Sequence, residues 1–175
     1  GQASARLVGD IGGTNARFAW QAAPRAPLRE VQVLPTAGHA TLEDALRHYL
    51  RHHLQASGLP APAEAALAIA NPVLGDQVRM TNHDWAFSID AVRRALGLRR
   101  LLVLNDFTAL ALALPALRAD ELRAVGRGGV VDGAAKAVIG PGTGLGASGL
   151  LPAGGGGGDG GAGTRWVPVQ GEGGH

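Results

Sequence analysis

Short apolar runs separated by polar turns open the chain, and their spacing is that of strands. Residues 5–10 form an apolar run that ends in a carboxylate, a turn with two glycines follows, and residues 17–20 are apolar again. Glycine, threonine and asparagine in such a turn favour a β-hairpin. Residues 30–34 alternate between polar and apolar positions and predict a third strand that ends before Pro35.

Helical spacing follows in two segments. Thr41 has the character of an N-cap, and apolar residues then recur three and four positions apart as far as Gly58, which predicts an amphipathic helix. Ser88 predicts the N-cap of a second helix over residues 89–96, with Gly97 at its carboxyl end.

Two continuous apolar runs, residues 65–70 and 101–104, have the length of strands that are buried on both faces. The excursion between them contains a short predicted strand near residues 77–80. After the second run a helix begins at Phe107, and Pro115 should end or kink it. Because strands alternate with helices after the hairpin, we predict an α/β fold: a mixed sheet with flanking helices.

Beyond Pro115 the pattern starts again. A short helix is predicted near residues 120–124, and strands are predicted over residues 135–140, 147–151 and 164–169. A glycine loop separates the first two of these strands, as at the start of the chain. We therefore expect residues 1–115 to form a small α/β domain, and residues 116–175 to form a linker and the opening strands of a second, similar domain. Residues 154–163 are mostly glycine and predict a flexible loop.

Composition narrows the class of protein. Hydrophobic residues make up 46% and charged residues 17%, which is typical of an ordered globular chain. No apolar run has the length of a membrane span, and the chain has no cysteine, so we expect a cytoplasmic protein without membrane contact. All but one of the 16 basic residues are arginine, and they are not interleaved with aromatics, so we expect no nucleic-acid partner. Base rates favour a homodimer.

Two glycine turns are candidate phosphate sites. The first turn contains Asp10, Gly12, Gly13, Thr14 and Asn15. Glycines let backbone N–H groups face a phosphate, and the carboxylate of Asp10 suits a Mg²⁺ ion held through water. An ordinary hairpin turn explains this motif equally well when it stands alone. The second turn spans residues 140–146 and includes Gly142, Thr143 and Gly144. Together the two turns suit a polyphosphate clamped between two domains, and neither the helix of a dinucleotide fold nor a Gly-Lys-Ser/Thr motif accompanies them.

Two polar pairs are candidates for substrate chemistry. Asn105 and Asp106 follow a predicted buried strand, which is where open α/β sheets bind ligands. Asp106 either accepts a proton from a substrate hydroxyl during phosphoryl transfer or only caps the next helix. Glu172 and His175 offer an acceptor and a switchable donor that suit a polyhydroxyl ligand, or they are polar residues of a chain terminus.

Other conspicuous residues favour structural interpretations. His48 and His52 have the spacing of a zinc pair, but no glutamate of an H-E-x-x-H motif and no third ligand accompany them, so we expect a solvated helix face. Trp85 and Phe87 are interpreted as packing residues.

Five segments occur in the same order as in bacterial glucokinases. They are LVGDIGGTNARFA (7–19), MTNHDWAFSI (80–89), LNDFTALA (104–111), GPGTGLG (140–146) and GEGGH (171–175). The chain therefore resembles the bacterial glucokinase family, part of the hexokinase, actin and heat-shock ATPase superfamily, and the resemblance implies a ribonuclease H-like fold. Chains of that family continue past the position of His175 with a further sugar-binding glutamate and the segment that holds the adenosine. The resemblance thus implies that this is the N-terminal part of such a protein.

The resemblance also implies an activity, the transfer of the γ-phosphoryl group of ATP to the 6-hydroxyl of glucose, with Mg²⁺ on the phosphates. In this sequence Asp106 looks like the catalytic base, and the residues that look like glucose ligands are Asn105, Asp106, Glu172 and His175. Residues 10–15 and 140–146 look like the two phosphate loops. Two alternatives stay open: a non-enzymatic, sugar-sensing regulator with the same fold, and a kinase for a different hexose.

Overall fold

The structure is a computed structural model that describes residues 4–141, 144–153 and 164–172. The chain divides into two compact units, Gly1–Asp106 and Phe107–His175. This division lies before the boundary at residue 115 that the sequence suggests, and the domain arrangement of a longer protein stays a prediction. Within the described ranges, no helix is long and apolar enough to cross a membrane.

The first unit begins with an antiparallel meander. Strands β1 (Arg6–Ile11), β2 (Asn15–Gln21) and β3 (Leu28–Pro35) follow one another and pair in that order, which confirms the predicted hairpin and third strand. β3 is longer than predicted because it accompanies β2 along its whole length. β4 (Glu64–Ile69) pairs in parallel with the other side of β1.

The first predicted helix is present but shorter than its pattern. Helix α1 covers Leu42–Tyr49, and the hydroxyl of Thr41 accepts a hydrogen bond from the Asp44 N–H at 3.0 Å, as expected of an N-cap. The helix then widens into a π-helical turn over Leu50–Leu54. Only turns continue from there to Gly58, so the apolar spacing overestimates the length of the regular helix.

The excursion after β4 is a small hairpin. The predicted strand is β5 (Gln77–Arg79), and it pairs antiparallel with β6 (Ala86–Ser88), which the sequence does not predict. Helix α2 (Ile89–Ala95) follows directly, and the hydroxyl of Ser88 accepts a hydrogen bond from the Ala91 N–H at 3.0 Å. The predicted N-cap is confirmed.

The last strand of the first unit is β7 (Arg100–Asn105), which pairs in parallel with β4. Among the described residues, the sheet therefore has five strands in the order β3-β2-β1-β4-β7, and β1 belongs both to the antiparallel meander and to the parallel part formed with β4 and β7. This mixed sheet with helices confirms the predicted α/β class. Helix α3 (Asp106–Ala113) starts immediately after β7, and a 3₁₀ turn at Leu114–Ala116 contains Pro115.

The core of the first unit lies against this sheet. Its largest fully buried side chains include Phe18, Leu42, Tyr49, Ile69 and Trp85. The indole N–H of Trp85 donates to the carbonyl of His39 at 2.9 Å, which satisfies the polar atom of this buried ring. Phe87 is also buried, so the packing interpretation of both aromatics is confirmed.

The second unit contains another antiparallel meander. Strands β8 (Lys136–Pro141), β9 (Leu145–Ala153) and β10 (Arg165–Glu172) form a sheet with the order β10-β9-β8. The short helix predicted near residues 120–124 is present only as a 3₁₀ turn at Ala119–Glu121, and Arg118 just before it pairs with Asp120 and Glu121. The predicted flexible loop at residues 154–163 lies outside the described residues.

Candidate functional site

The carboxyl ends of β1, β4 and β7 lie side by side at one edge of the sheet, which we call the carboxyl edge. Ile11 pairs with Ile69, and Ile69 pairs with Asn105, so the three strands end in register. Open α/β sheets bind ligands just outside such an edge. The polar residues at or next to these strand ends are Asp10, Asn71, Asn105 and Asp106.

The first glycine turn connects β1 to β2 at the carboxyl edge. The Gly12 N–H donates to the Asn15 carbonyl at 2.9 Å and closes the turn. Two bonds from Thr36 hold the turn from behind: its hydroxyl donates to the Gly13 carbonyl at 2.8 Å, and its N–H donates to the Thr14 carbonyl at 2.9 Å. Thr36 is itself buried, so the turn has a fixed backbone shape.

Gly13 must be glycine because another backbone passes close to it. A Cβ atom added at Gly13 would lie 2.9 Å from the Cβ and 3.0 Å from the carbonyl oxygen of Asn82. Thr14, Asn15 and Asp10 are exposed, so their side chains are open to a ligand. Phosphate binding by this turn stays a prediction from the sequence.

Asn105 and Asp106 lie where β7 passes into α3. Asn105 is the last residue of the strand, Asp106 is the first of the helix, and both are half-buried. The Asn105 amide donates from Nδ2 to the carbonyl of Asn71 at 3.2 Å. The candidate sugar ligand is therefore anchored to the end of the neighbouring strand.

The loop over residues 80–85 joins β5 to β6 and lies against the first glycine turn through the contact of Asn82 with Gly13. The Met80 N–H donates to the Trp85 carbonyl at 2.9 Å and closes the loop. A depression of about 480 Å³ is lined by Arg79, Met80, Thr81, Asn82, His83 and Asp84. Sequence reasoning recognised this segment as family-like but assigned it no site residue.

The second glycine turn connects β8 to β9 inside the second unit. Gly140 pairs with Gly146, and the exposed Gly144 precedes β9. A Cβ atom added at Gly140 would lie 3.1 Å from the Phe107 ring, and one added at Gly146 would collide with that ring. Gly146 is thus required by the packing of the turn on Phe107, and Gly140 packs tightly against the same ring. The candidates Gly142 and Thr143 lie outside the described residues.

The last pair of candidates is only partly described. Glu172 is the final residue of β10, and its backbone pairs with Gly146 beside the second glycine turn. The sequence predicts little structure around it, whereas the strand extends to this residue. His175 lies outside the described residues.

Three histidines of the first predicted helix lie close together, with His48 and His53 half-buried and His52 exposed. The ring centre of His48 lies 4.6 Å from that of His52, 5.0 Å from that of His39 and 5.8 Å from that of His53. Burial, followed by the charges of His52, His39, His53 and Arg51, lowers the pKa of His48. In the described part of the chain, no three or more His, Cys, Asp or Glu side chains form a group that could hold a metal ion.

Two residues that shape the site were missed by sequence reasoning. Thr36 holds the first glycine turn, and Asn71 contacts Asn105 across the carboxyl edge. Asn71 could have been predicted as a site residue from the sequence, because it follows the buried strand β4 closely, as Asp106 follows β7. Thr36 had none, since its contact with Gly13 spans 23 positions of the chain.

The sequence of this chain is similar to those of known proteins. The family model described as Glucokinase matches residues 7–175. A glucokinase of Cupriavidus pinatubonensis is 54% identical over 170 residues, which are 97% of this chain and 47% of that protein. A glucokinase of Neisseria gonorrhoeae is 53% identical over 172 residues, which are 97% of this chain and 48% of that protein. The chain thus spans about half the length of the curated relatives that it matches.

A solved structure extends the likeness to three dimensions. The crystal structure of glucokinase from an Antarctic psychrotroph superposes with a TM-score of 0.82 at 34% sequence identity, and the match covers 99% of this chain and 52% of that one. The likeness confirms the fold class expected from the resemblance. With the matched family model and the sequence relatives, it establishes that the chain belongs to the glucokinase family.

Proposed function

We propose that the full-length protein transfers the γ-phosphoryl group of ATP to the 6-hydroxyl of glucose and releases glucose 6-phosphate and ADP. One observation carries the proposal: in a chain of the glucokinase family, Asp106 lies at the carboxyl edge of the same sheet that holds the first glycine turn. Phosphoryl transfer needs a group that accepts a proton and a site that binds phosphates, and both would lie on one edge of the sheet.

Asp106 is proposed as the catalytic base. As the 6-oxygen of glucose forms a bond to the γ-phosphorus, the bond from that phosphorus to the bridging oxygen of ADP breaks, and the hydroxyl proton passes to the Asp106 carboxylate. Support comes from its place at the start of α3, directly after the strand that ends in Asn105. Packing and the helix backbone limit the movement of a residue at such a junction, which favours positional catalysis.

Four residues are proposed as sugar ligands, and their side chains would bind hydroxyl groups of the hexose: Asn105, Asp106, Glu172 and His175. The anchored amide of Asn105 supports its part in this set. Amide and carboxylate groups together donate to and accept from the hydroxyls of a hexose.

The residues of the two glycine turns are proposed to bind phosphate oxygens of ATP. The residues of these turns are Asp10, Gly12, Gly13, Thr14, Asn15, Gly142, Thr143 and Gly144. Asp10 is exposed at the end of β1, and a single carboxylate suits Mg²⁺, which keeps several waters and takes further oxygens from phosphates. A magnesium ion held there through water would neutralise charge on the phosphates.

Family membership does not favour the alternative of a regulator without catalysis. Four further points stay predictions from the sequence: the range of hexoses beyond glucose, a homodimeric state, a cytoplasmic location and the lack of a nucleic-acid partner.

The test is an assay of the full-length protein in which release of ADP, the product that every acceptor gives, is coupled through pyruvate kinase and lactate dehydrogenase to oxidation of NADH, with glucose, mannose and glucosamine as acceptors. Asp106→Asn should lower kcat by about 10²- to 10⁴-fold, since that is what a positioned acid or base contributes. The matched control is Asp120→Asn, in an exposed 3₁₀ turn of the second unit, which should leave kcat unchanged. Unchanged turnover in Asp106→Asn would remove Asp106 from the mechanism, and wild-type protein inactive on every hexose would overturn the proposed function.

A further inference from the structure

Asn71 is a polar residue buried at the carboxyl edge, with only 3% of its surface exposed. It follows β4 and precedes Pro72, between the ends of the two neighbouring parallel strands. A buried amide is costly unless its groups are bonded, so the contacts of Asn71 indicate what it is there to hold.

The side chain of Asn71 binds the start of the 80–85 loop. Its Nδ2 donates to the Arg79 carbonyl at 3.1 Å and approaches the Thr81 hydroxyl at 3.4 Å, while its Oδ1 accepts from the Thr81 N–H at 3.4 Å. An amide is the one small side chain that donates and accepts in the same plane, as these opposed backbone groups require. Asn71 thereby sets the position of the next residue in the loop, Asn82.

The same residue reaches both candidate subsites. Its carbonyl accepts from the Asn105 amide at 3.2 Å, on the sugar side. Through Thr81 it holds the loop whose Asn82 backs onto Gly13, on the phosphate side. All of these contacts lie within the first unit.

We propose that Asn71 is a positioning residue for phosphoryl transfer, which orients the amide of Asn105 towards the sugar and holds the 80–85 loop against the first glycine turn. The proposal rests on the proposed function, and it concerns a residue that acts through Asn105 and Asn82 rather than by touching a substrate. Buried hydrogen-bonded networks of this kind hold binding groups within the narrow limits that catalysis needs.

Asn71→Asp in the full-length protein is the direct test. The carboxylate has the shape of the amide but cannot donate to the Arg79 carbonyl, so the end of β4 and its carbonyl should shift. We expect the KM for glucose to rise by about tenfold or more, with a smaller fall in kcat. The matched control is Gln21→Glu, which removes an amide donor from the Ala26 carbonyl at the far end of β2 and should leave both constants unchanged.

A double-mutant cycle separates positioning from mere stability. If Asn71 acts on the sugar through Asn105, then Asn71→Asp should raise the KM for glucose by less than about twofold in an Asn105→Ala background, since the group that it orients is gone. Equal effects in both backgrounds would overturn the proposal. So would an Asn71→Asp protein with a lowered melting temperature and an unchanged KM.

If Asn71→Asp does not fold, Asn71→Ser replaces it in the test, because serine keeps a small hydrogen-bond donor. Circular dichroism identifies the folded variant, and the same rise in the KM for glucose is expected. Loss of folding in both variants would assign Asn71 a purely structural role and overturn the proposal. Inactivity of the wild-type protein is a separate result, because it would contradict the proposed function and not the contacts of Asn71.

Discussion

The two meanders of this chain have the same topology and very different burial. The first, β1 to β3, contributes Leu7, Ile11, Phe18 and Trp20 to a continuous core. In the second, β8 to β10, only Leu150 and Ser148 are buried among the described residues. Its large apolar side chains that stay exposed are Ile139, Leu145, Leu151, Val167 and Val169.

The difference shows that a three-stranded meander does not create a core by itself. The first meander is extended by the parallel strands β4 and β7, and Leu42, Leu46 and Tyr49 of α1 belong to the same core. A sheet gains stability when elements cover its apolar face, because burial of apolar surface is the main favourable contribution to folding. Most of the stability of the described chain should therefore reside in the first unit.

The largest expected effect comes from one substitution made in each meander. Leu7 in β1 is 2% exposed and Leu151 in β9 is 50% exposed. Leu7→Ala should lower the free energy of unfolding by about 2–5 kcal/mol, since it removes buried methyl groups and leaves a cavity. Leu151→Ala should change it by about 0.5 kcal/mol or less, as is usual for surface positions.

Urea unfolding of the two variants, followed by circular dichroism and tryptophan fluorescence, measures both values. Trp20 and Trp85 report on the first unit and Trp166 on the second. Similar losses of unfolding free energy in Leu7→Ala and Leu151→Ala would contradict this expectation. They would mean that the second meander belongs to an equally important core.

A smaller, pH-dependent effect distinguishes two aspartates. Hydrogen bonds from the Ser88 hydroxyl and the Asp90 N–H lower the pKa of Asp76 below its usual value of 3.8, and the bond from Arg118 lowers the pKa of Asp120. A carboxylate whose pKa is lowered by folding stabilises the protein above its unfolded pKa, and this contribution is lost as the pH falls through the folded pKa. Asp76 joins the segment before β5 to the start of α2, whereas Asp120 contacts only its own exposed turn.

Asp76→Ala should therefore shift the midpoint of urea unfolding to lower urea at pH 7, and the shift should shrink below about pH 4. Asp120→Ala should leave the midpoint unchanged at both pH values, because an exposed pair two residues apart contributes little. A shift for Asp76→Ala that persists undiminished at pH 3 would show that its carboxylate charge is not the cause.

Much of the fold was predictable from the spacing of apolar residues. Continuous runs marked β4 and β7, and the N-caps Thr41 and Ser88 lie where their residue types indicate. The π-helical turn at Leu50–Leu54 was not predictable, because its apolar spacing is also that of an α-helix. Strand β6 was missed, although its partner β5 has the same length and was predicted.

The site was predictable where a residue follows its own strand and was missed where it depends on a distant contact. Asp10 and Asp106 stand out because polar residues close an apolar run in the sequence. Thr36 and Asn71 act on residues 23 and 34 positions away, and only the strand order brings those partners together. The local sequence pattern therefore indicates which side chains lie at the carboxyl edge of the sheet, but not which distant residues hold them in position.

Hydrogen exchange of the full-length protein, with and without saturating glucose, measures directly whether the carboxyl edge of the first sheet binds the sugar. Glucose should slow exchange in peptides that cover residues 69–84 and 101–110, where β4 and β7 end. Peptides at the opposite edge, around Arg6 and Glu64, should exchange at unchanged rates. Unchanged exchange at residues 69–84 and 101–110, with glucose bound and protection elsewhere, would contradict the account.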